Sequence, residues 1–581
     1  MADLVIGARR PYHHQRTLRG TAVAGALLLA CVLAGYFVYE RVVSYVEPEL
    51  SDSDGELELL AMQDGAGEQD RGDAVRLAAH GASLGVTGTS AVLRAAGSPQ
   101  QLGAAHGRLL GGALGPPTEA LQVTVTHAVP RGGWLGRLSH GLRLRCHLRR
   151  LDDVMPCHQL VEMAAAVRGT TAAEGTGPEY ETFVRSQAAL DVGEPAPWSS
   201  GATLRAVTRS LSFVSELRGT SGDRLLVGRT FALPGAGDGG DAAAEHQLVS
   251  FVRADTVIPF ASVGWPGLTG VVSGINAEGI AIMVHPVRTA GVSLSRQAQP
   301  IALLARDVLE NARSLDDAIA ILEHGAPLGA AAYLVVDGEA RRWAVVERSP
   351  TEVAVMRDAR PAVVGDVLTA ENFEQDPDND RARRVRPATM RRQRAARLLG
   401  GRLDDPAAFA AVLRDRRDPD GAPLPPGHRG AVYDAAAVHT ALFDASAMVL
   451  WVADHADPEA RFRAFDLRYE LRGEGNRPAP PGDIAAAAQL DEGLATRLRR
   501  ARRLLRLARA ERDRHQLSRA REWVQRALAH APTLPEAQHL AGELAALAGQ
   551  RARAMEHYRR YLELGPDDLG AAEEVRAVLG N

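Results

Sequence analysis

Between Leu225 and Asp454 the chain breaks repeatedly into short apolar runs separated by turn residues, and that rhythm restricts what it can fold into. LLVGRTF, SVGWPGLTGVVSGINAEGIAIMVHP, AAYLVVDGEARRWAVVE, EVAVMRD, AVVGDVLT and AMVLWVAD are rich in β-prone residues and punctuated by Gly, Asp and Pro. Such runs read as strands of the antiparallel type. Helically spaced stretches such as IALLARDVLENARSLDDAIAILEH lie between them. The alternation predicts a layered α+β domain within a mixed region from about Ala74 to Arg472, whose first part, to about Arg209, reads as mainly helical.

One segment of that region also bears on chemistry. Ser210–Leu233, SLSFVSELRGTSGDRLLVGRTFAL, predicts two short strands joined by a turn at Gly219, Gly222 and Asp223. A nucleophile-capable serine opens the first strand, and the second closes on a Gly228–Arg229 corner. Taken alone, Ser210 reads equally as a serine that merely starts a strand, and Arg229 as a structural cation. Asn276 reads first as a turn former before Gly279, and His285 as a packed histidine before Pro286.

The flanks read differently. Thr21–Tyr39 carries no charge and has about the length of a single bilayer-spanning helix. Arg9, Arg10, Arg16 and Arg19 precede it and acidic residues follow, so the positive-inside rule places residues 1–19 in the cytoplasm, a transmembrane helix at 20–42 and the remainder outside. A cleaved signal peptide is the alternative. Residues 43–75 form an acidic linker in which Pro48–Asp73 reads as a solvated tether. GEGNRPAPPG (Gly473–Gly482) opens a Pro/Gly linker over 473–490. In the arginine- and alanine-rich helices of 491–581, Ala520 and Pro532 recur as Ala554 and Pro566, an offset of 34 that matches the tetratricopeptide period. That predicts a small hairpin array able to bind a protein partner, with chance spacing in an ordinary helical hairpin pair as the alternative.

Composition narrows the function classes. A net charge of -4 argues against a general nucleic-acid binder. All 67 basic residues are arginine, an association with GC-rich bacterial genomes. Three cysteines make no disulfide framework, and neither a metal-ligand spacing nor a cofactor fingerprint is present. No cofactor and no metal are expected. Cys146–Cys157 is the one conceivable bridge.

Four ordered segments resemble the acyl-CoA:6-aminopenicillanate acyltransferase-like family (peptidase C45), a branch of the N-terminal-nucleophile hydrolases. They are Gly97–Leu114, Ser210–Leu233, Trp265–Pro286, and YLVVDGEARRWAVVERSP followed by VLTAENF (Tyr333–Pro350 and Val367–Phe373). The resemblance covers about residues 90–455, within a domain bounded at 76–472. It implies an αββα sandwich and a precursor that cuts its own chain between Arg209 and Ser210. Ser210 stands where the family usually has cysteine, and its freed α-amine serves as base for its own side chain. The resemblance also implies that Arg229 orients the nucleophile, that Asn276 and Asn372 belong to the catalytic set, and that Arg391 binds substrate. The chain departs from the family at Ala232, where an aspartate orients the amine, and at Ala370, where an asparagine completes the oxyanion hole. Two functions follow. One is a membrane-anchored amide hydrolase or acyltransferase of the bacterial inner membrane, single-pass, facing the periplasm and acting on a small acylated or amide substrate. The other is an inactive C45-like scaffold that recruits a protein through its repeats.

Overall fold

The computed structural model describes residues 30–31, 34–35, 45–51, 74–79, 82–127, 148, 151–192, 210–217, 224–233, 246–287, 298–360, 362–365, 367–373, 386–401, 403–472, 481–488, 491, 493–566 and 569–580. Three strands come first, β1 (Ala74–Ala79), β2 (Ala82–Thr87) and β3 (Ser90–Gly97). Helices α1 (Pro99–His127), α2 (Cys157–Glu174), α3 (Tyr180–Ser186) and α4 (Ala189–Val192) follow. Next are β4 (Leu211–Leu217), β5 (Arg224–Phe231), β6 (Leu248–Ala254), β7 (Phe260–Gly264), β8 (Ser273–Asn276) and β9 (Ile280–Val287). Helices α5 (Ile301–Asn311) and α6 (Leu315–His324) lead into β10 (Ala330–Asp337), β11 (Arg342–Arg348), β12 (Val353–Arg357) and β13 (Ala362–Val364). Helices α7 (Arg386–Leu399) and α8 (Pro406–Leu413) precede β14 (His439–Asp444), β15 (Val449–Ala453), β16 (Phe462–Asp466) and α9 (Leu467–Arg472).

The strands form two sheets, of ten strands in the order β1-β2-β3-β6-β7-β8-β9-β10-β11-β12 and of six in the order β13-β4-β5-β14-β15-β16. All pairings are antiparallel except β3 with β6. Period-2 alternation decides which side chains go where. Ala281 and Met283 of β9, with Ala332 and Leu334 of β10, meet Val214, Val227, Ala441 and Phe443 of the smaller sheet in one apolar cluster. The alternate residues Ile280, Ile282 and Val284 pack outward on α5 and α6 through Leu304, Val308 and Ile319. On the other side Leu211, Phe213 and Leu226 pack on α7 and α8 through Ala395, Phe409 and Leu413. The layers therefore run helix, sheet, sheet, helix, as the αββα expectation has it. Gly228 is required where β5 crosses β4, because a Cβ there would lie 2.2 Å from Phe213 Cζ.

Several expectations are corrected. Before Arg209 the mainly helical stretch also contains strands β1–β3, which extend the edge of the large sheet through the pairing of β3 with β6. Ser51 is not part of a free tether, since it exchanges hydrogen bonds of 2.9 Å and 2.6 Å with Gln100. Ile484, within the predicted Pro/Gly linker, pairs with Phe462 through two bonds of 3.0 Å. The predicted span at Thr21–Tyr39 lies almost wholly outside the described residues, and among those described no helix is long and apolar enough to cross a membrane. Arg209, Cys146 and the turn at 218–223 also lie outside them.

Beyond α9, five consecutive helices follow: α10 (Leu494–Asp513), α11 (Leu517–His530), α12 (Pro535–Leu547), α13 (Arg551–Glu563) and α14 (Leu569–Leu579). Their apolar faces stack in sequence. Leu494 and Leu498 of α10 pack with Tyr433 and Ala435, and Arg502 donates to Gly427 O at 2.8 Å. The helical array is thereby seated on the loop before β14.

Candidate active site

The inward rows that make the intersheet core do not stay apolar along their whole length. The row Val214–Ser212–Ser210 turns polar toward the start of β4, and the β5 row Leu225–Val227 continues to Arg229. On β14, Phe443 and Ala441 are followed at the same parity by His439; on β8 and β9, Ile275 and Met283 are followed by Ser273 and His285. Strand register aligns these ends, with Ser212 opposite Arg229 and His439 opposite Phe231. Both sheets thus place polar side chains in the same end of the gap between them.

The resulting cluster is continuous. Ser212 Oγ lies 2.6 Å from His285 Nε2. Arg229 Nη1 approaches the same imidazole, 2.8 Å from Nε2 and 3.2 Å from Nδ1. Its Nη2 donates to Val284 O at 2.5 Å, and its Nε donates to Ser273 Oγ at 3.1 Å. Ser273 Oγ in turn lies 2.8 Å from His439 Nε2. Two serine–histidine pairs therefore flank one guanidinium. Phe231 stacks between Trp265 and His439, at centroid distances of 6.0 Å and 5.4 Å, and the Arg229 guanidinium sits 5.0 Å from the Phe231 centroid.

Ser210, Ser212, Arg229, Ser273, His285 and His439 are all 0% exposed, so water does not compete with these contacts. Burial holds both imidazoles well below their ordinary range, and the charge of Arg229 adds to the effect. For His285, Arg392 works in the same direction, while a hydrogen bond with the Ser210 backbone works against it. Both rings are accordingly neutral at physiological pH and able to accept a proton from a serine hydroxyl. Among the described residues, no group of His, Cys, Asp or Glu is arranged to hold a metal ion.

Of the residues expected from the sequence, Ser210 and Arg229 share this cluster. Asn276 does not. Its Nδ2 donates to Leu309 O at 3.1 Å and Ala312 O at 2.8 Å, and its Oδ1 accepts from the amides of Glu278 and Ile280. Those four bonds close the β8–β9 turn, where Gly279 has a φ of +82°, and tie it to the end of α5. These bonds give Asn276 a structural role at the turn. Arg391 Nη1 donates to Arg429 O at 2.6 Å. The next residue of α7, Arg392, faces the cluster instead. A Cβ at Gly365 would lie 3.5 Å from Arg392 Cδ and 3.6 Å from the Ser210 carbonyl oxygen.

Asn372 lies in a 3-10 turn at Glu371–Phe373, and its side chain falls outside the described residues. The adjoining corner is occupied with structure: the amides of Thr369 and Ala370 donate to the buried Glu347 carboxylate at 2.7 Å and 2.8 Å. Ala232 is fully buried and offers no polar group. The sequence motifs do not single out Ser212, Ser273 or His439, and His285 reads there as a packed histidine. The available signal was parity, because each falls on the inward row of a strand whose other inward residues are apolar.

Residues 241–457 match the profile of the family described as acyl-coenzyme A:6-aminopenicillanic acid acyl-transferase. The match takes in Ser273, His285 and His439 and begins after Ser210, Ser212 and Arg229. No curated protein matches the sequence. Among solved structures, the chain is similar to a Caenorhabditis elegans N-acylethanolamine-hydrolyzing acid amidase (NAAA) ortholog, at 15% identity and a TM-score of 0.29, covering 41% of this chain and 93% of that one. It is also similar to the C2A mutant of the conjugated bile acid hydrolase of Clostridium perfringens, at 12% identity and a TM-score of 0.32, covering 49% of this chain and 99% of the other. The R18L variant of the same hydrolase matches at 12% identity and a TM-score of 0.26, covering 50% and 93%.

Proposed function

We propose that this chain, whose residues 241–457 match the profile of the acyl-coenzyme A:6-aminopenicillanic acid acyl-transferase family, is a self-processing amide hydrolase or acyltransferase with Ser210 as its N-terminal nucleophile. The observation that carries the reading is the position of Ser210. It immediately precedes β4, on the row of Ser212 and Val214 and at the polar end of the intersheet gap, two residues before Ser212, the register partner of Arg229.

Full burial of that serine suits a reaction within the chain, which needs no substrate to enter. Ser210 Oγ attacks the carbonyl carbon of Arg209, and the hydroxyl proton passes to the departing amide nitrogen. The Arg209–Ser210 C–N bond breaks, leaving an ester that water hydrolyses. Removal of residue 209 from the head of β4 frees an α-amine beside the same hydroxyl, and that amine then takes the Ser210 proton as the hydroxyl attacks a substrate acyl carbon. Arg229, held by Ser273 and Val284 O, places positive charge beside the site for the developing oxyanion.

Around this centre we place a membrane anchor at Thr21–Tyr39, with the domain on the periplasmic side of a bacterial inner membrane, and a protein partner on the C-terminal helical array read as tetratricopeptide-like repeats. A second reading, an inactive scaffold of the same fold, is favoured by the apolar residues at Ala232 and Ala370. Purified full-length chain on a denaturing gel, with N-terminal sequencing of any fragment, separates the two. The enzyme reading expects a fragment beginning at Ser210 that disappears in Ser210→Ala. A chain of full mass in both samples refutes self-processing.

A further inference from the structure

The missing aspartate at Ala232 leaves open which group orients Ser210. Ala232 itself is buried and apolar. The opposite sheet supplies another group. His285 of β9 reaches across the intersheet gap and touches the nucleophile strand at two places, the Ser210 backbone and the Ser212 hydroxyl.

We infer that His285 is the positioning residue for self-cleavage at Ser210, acting through Ser212 and the Ser210 main chain in place of a carboxylate. The inference rests on the self-processing reading.

The geometry behind it is specific. The hydrogen bond with the Ser210 backbone favours the protonated ring, so the ring donates and the Ser210 carbonyl oxygen accepts. A neutral imidazole that donates through one nitrogen has a lone pair on the other. Ser212 Oγ lies 2.6 Å from Nε2 and shares that nitrogen with Arg229 Nη1 at 2.8 Å. One ring therefore holds both the first and the third residue of the inward row. A bond to the Ser210 carbonyl fixes the plane of the peptide that follows the nucleophile's Cα. Pairing of Ser212 with Arg229 on one side and with Val364 on the other holds the strand beyond it. The main chain that carries the Ser210 hydroxyl is thereby held at the head of β4, a constraint that a carboxylate on the amine supplies by another route. His285 itself is held in place by Arg229 Nη1 at 2.8 Å.

The test follows cleavage of full-length chain made by cell-free translation, sampled over time and read by gel and intact mass. Wild type is compared with Ser210→Ala, His285→Ala, His285→Gln and Ser212→Ala, and melting curves are recorded for each. His285→Ala is expected to slow cleavage about 100-fold, the order of effect of a misplacement of about 1 Å. Ser212→Ala, which keeps the bond to the Ser210 carbonyl, is expected to slow it less. His285→Gln keeps a donor and an acceptor at the end of a side chain and is expected to recover most of the rate at an unchanged melting temperature. Cleavage at the wild-type rate in His285→Ala overturns the inference while leaving self-processing intact. Equal loss in the Ala and Gln variants, with both melting lower, makes His285 a packing residue and also overturns it. A wild-type chain that never cleaves refutes the self-processing reading and the inference with it.

Discussion

Acidification weakens this fold through its buried imidazoles, and His285 gives the effect a measurable size. In the folded chain its protonation lies well below the ordinary 6.5, because the ring is buried and faces Arg229 and Arg392. In the unfolded chain it titrates near that ordinary value. Between the two, the unfolded state binds more protons, so stability is fully present above about 6.5 and is lost as pH falls below it. Linkage puts the loss at about 0.2 kcal/mol at pH ~7.0 and about 1.4 kcal/mol at pH ~5.5, a change of about 1.2 kcal/mol for this one residue. The whole-chain profile does not isolate it. Asp191, pushed up to about 8 by burial, and Asp307, pushed up to about 6, have the opposite sign and gain stability as pH falls. The perturbation is therefore His285→Gln in a Ser210→Ala chain, which stays uncut, with urea unfolding at both pH values. All other groups cancel in the difference between the two chains. The His285 chain should lose about 1.2 kcal/mol relative to the Gln chain on acidification. Denaturation midpoints that move in parallel refute the claim that this ring is held neutral.

Two further variants probe the frame of the site. Gly228→Ala forces a methyl group to within 2.2 Å of Phe213 Cζ and is expected to destabilise by about 1–3 kcal/mol, read as a lower urea midpoint; Phe213→Leu in the same chain should recover part of that loss. Asn276→Ala leaves the carbonyls of Leu309 and Ala312 and the amides of Glu278 and Ile280 without their partner. It is expected to destabilise by about 2–4 kcal/mol, while folded protein still cleaves at the wild-type rate; a selective loss of cleavage would restore Asn276 to the catalytic set.

Much of the architecture was legible because strand propensity and turn punctuation are local. AIMVHPV and YLVVD are short β-prone runs bounded by turn residues, and the helical spacing of IALLARDVLEN marks a covering layer. Strands β1–β3 did not stand out, because their strand character comes from pairing with one another and with β6, which no window of sequence contains. The site was legible only in part. Ser210 and Arg229 stand out in the sequence because they lie on strands paired by a hairpin. Arg391 and Arg392 are neighbours on α7 that point about 100° apart, and which of them faces Ser210 depends on how α7 is rotated against β4 and β13.

From the sequence alone come the alternating rows, the serine at the head of a strand, the arginine opposite it, and the alanine where a carboxylate is expected. None of these says what takes the carboxylate's place. His285 is 73 residues from Ser212, and His439 is 166 residues from Ser273. Each is a histidine on a mostly apolar strand, indistinguishable from a packed histidine until the two sheets are laid face to face. The tertiary structure decides that the polar ends of these rows meet at the same end of the sandwich. It also excludes water there, so that a guanidinium, two neutral imidazoles and the Ser212 and Ser273 hydroxyls bond to one another. The strand pattern is a property of neighbours in sequence, whereas the chemistry of the cluster is a property of neighbours in space.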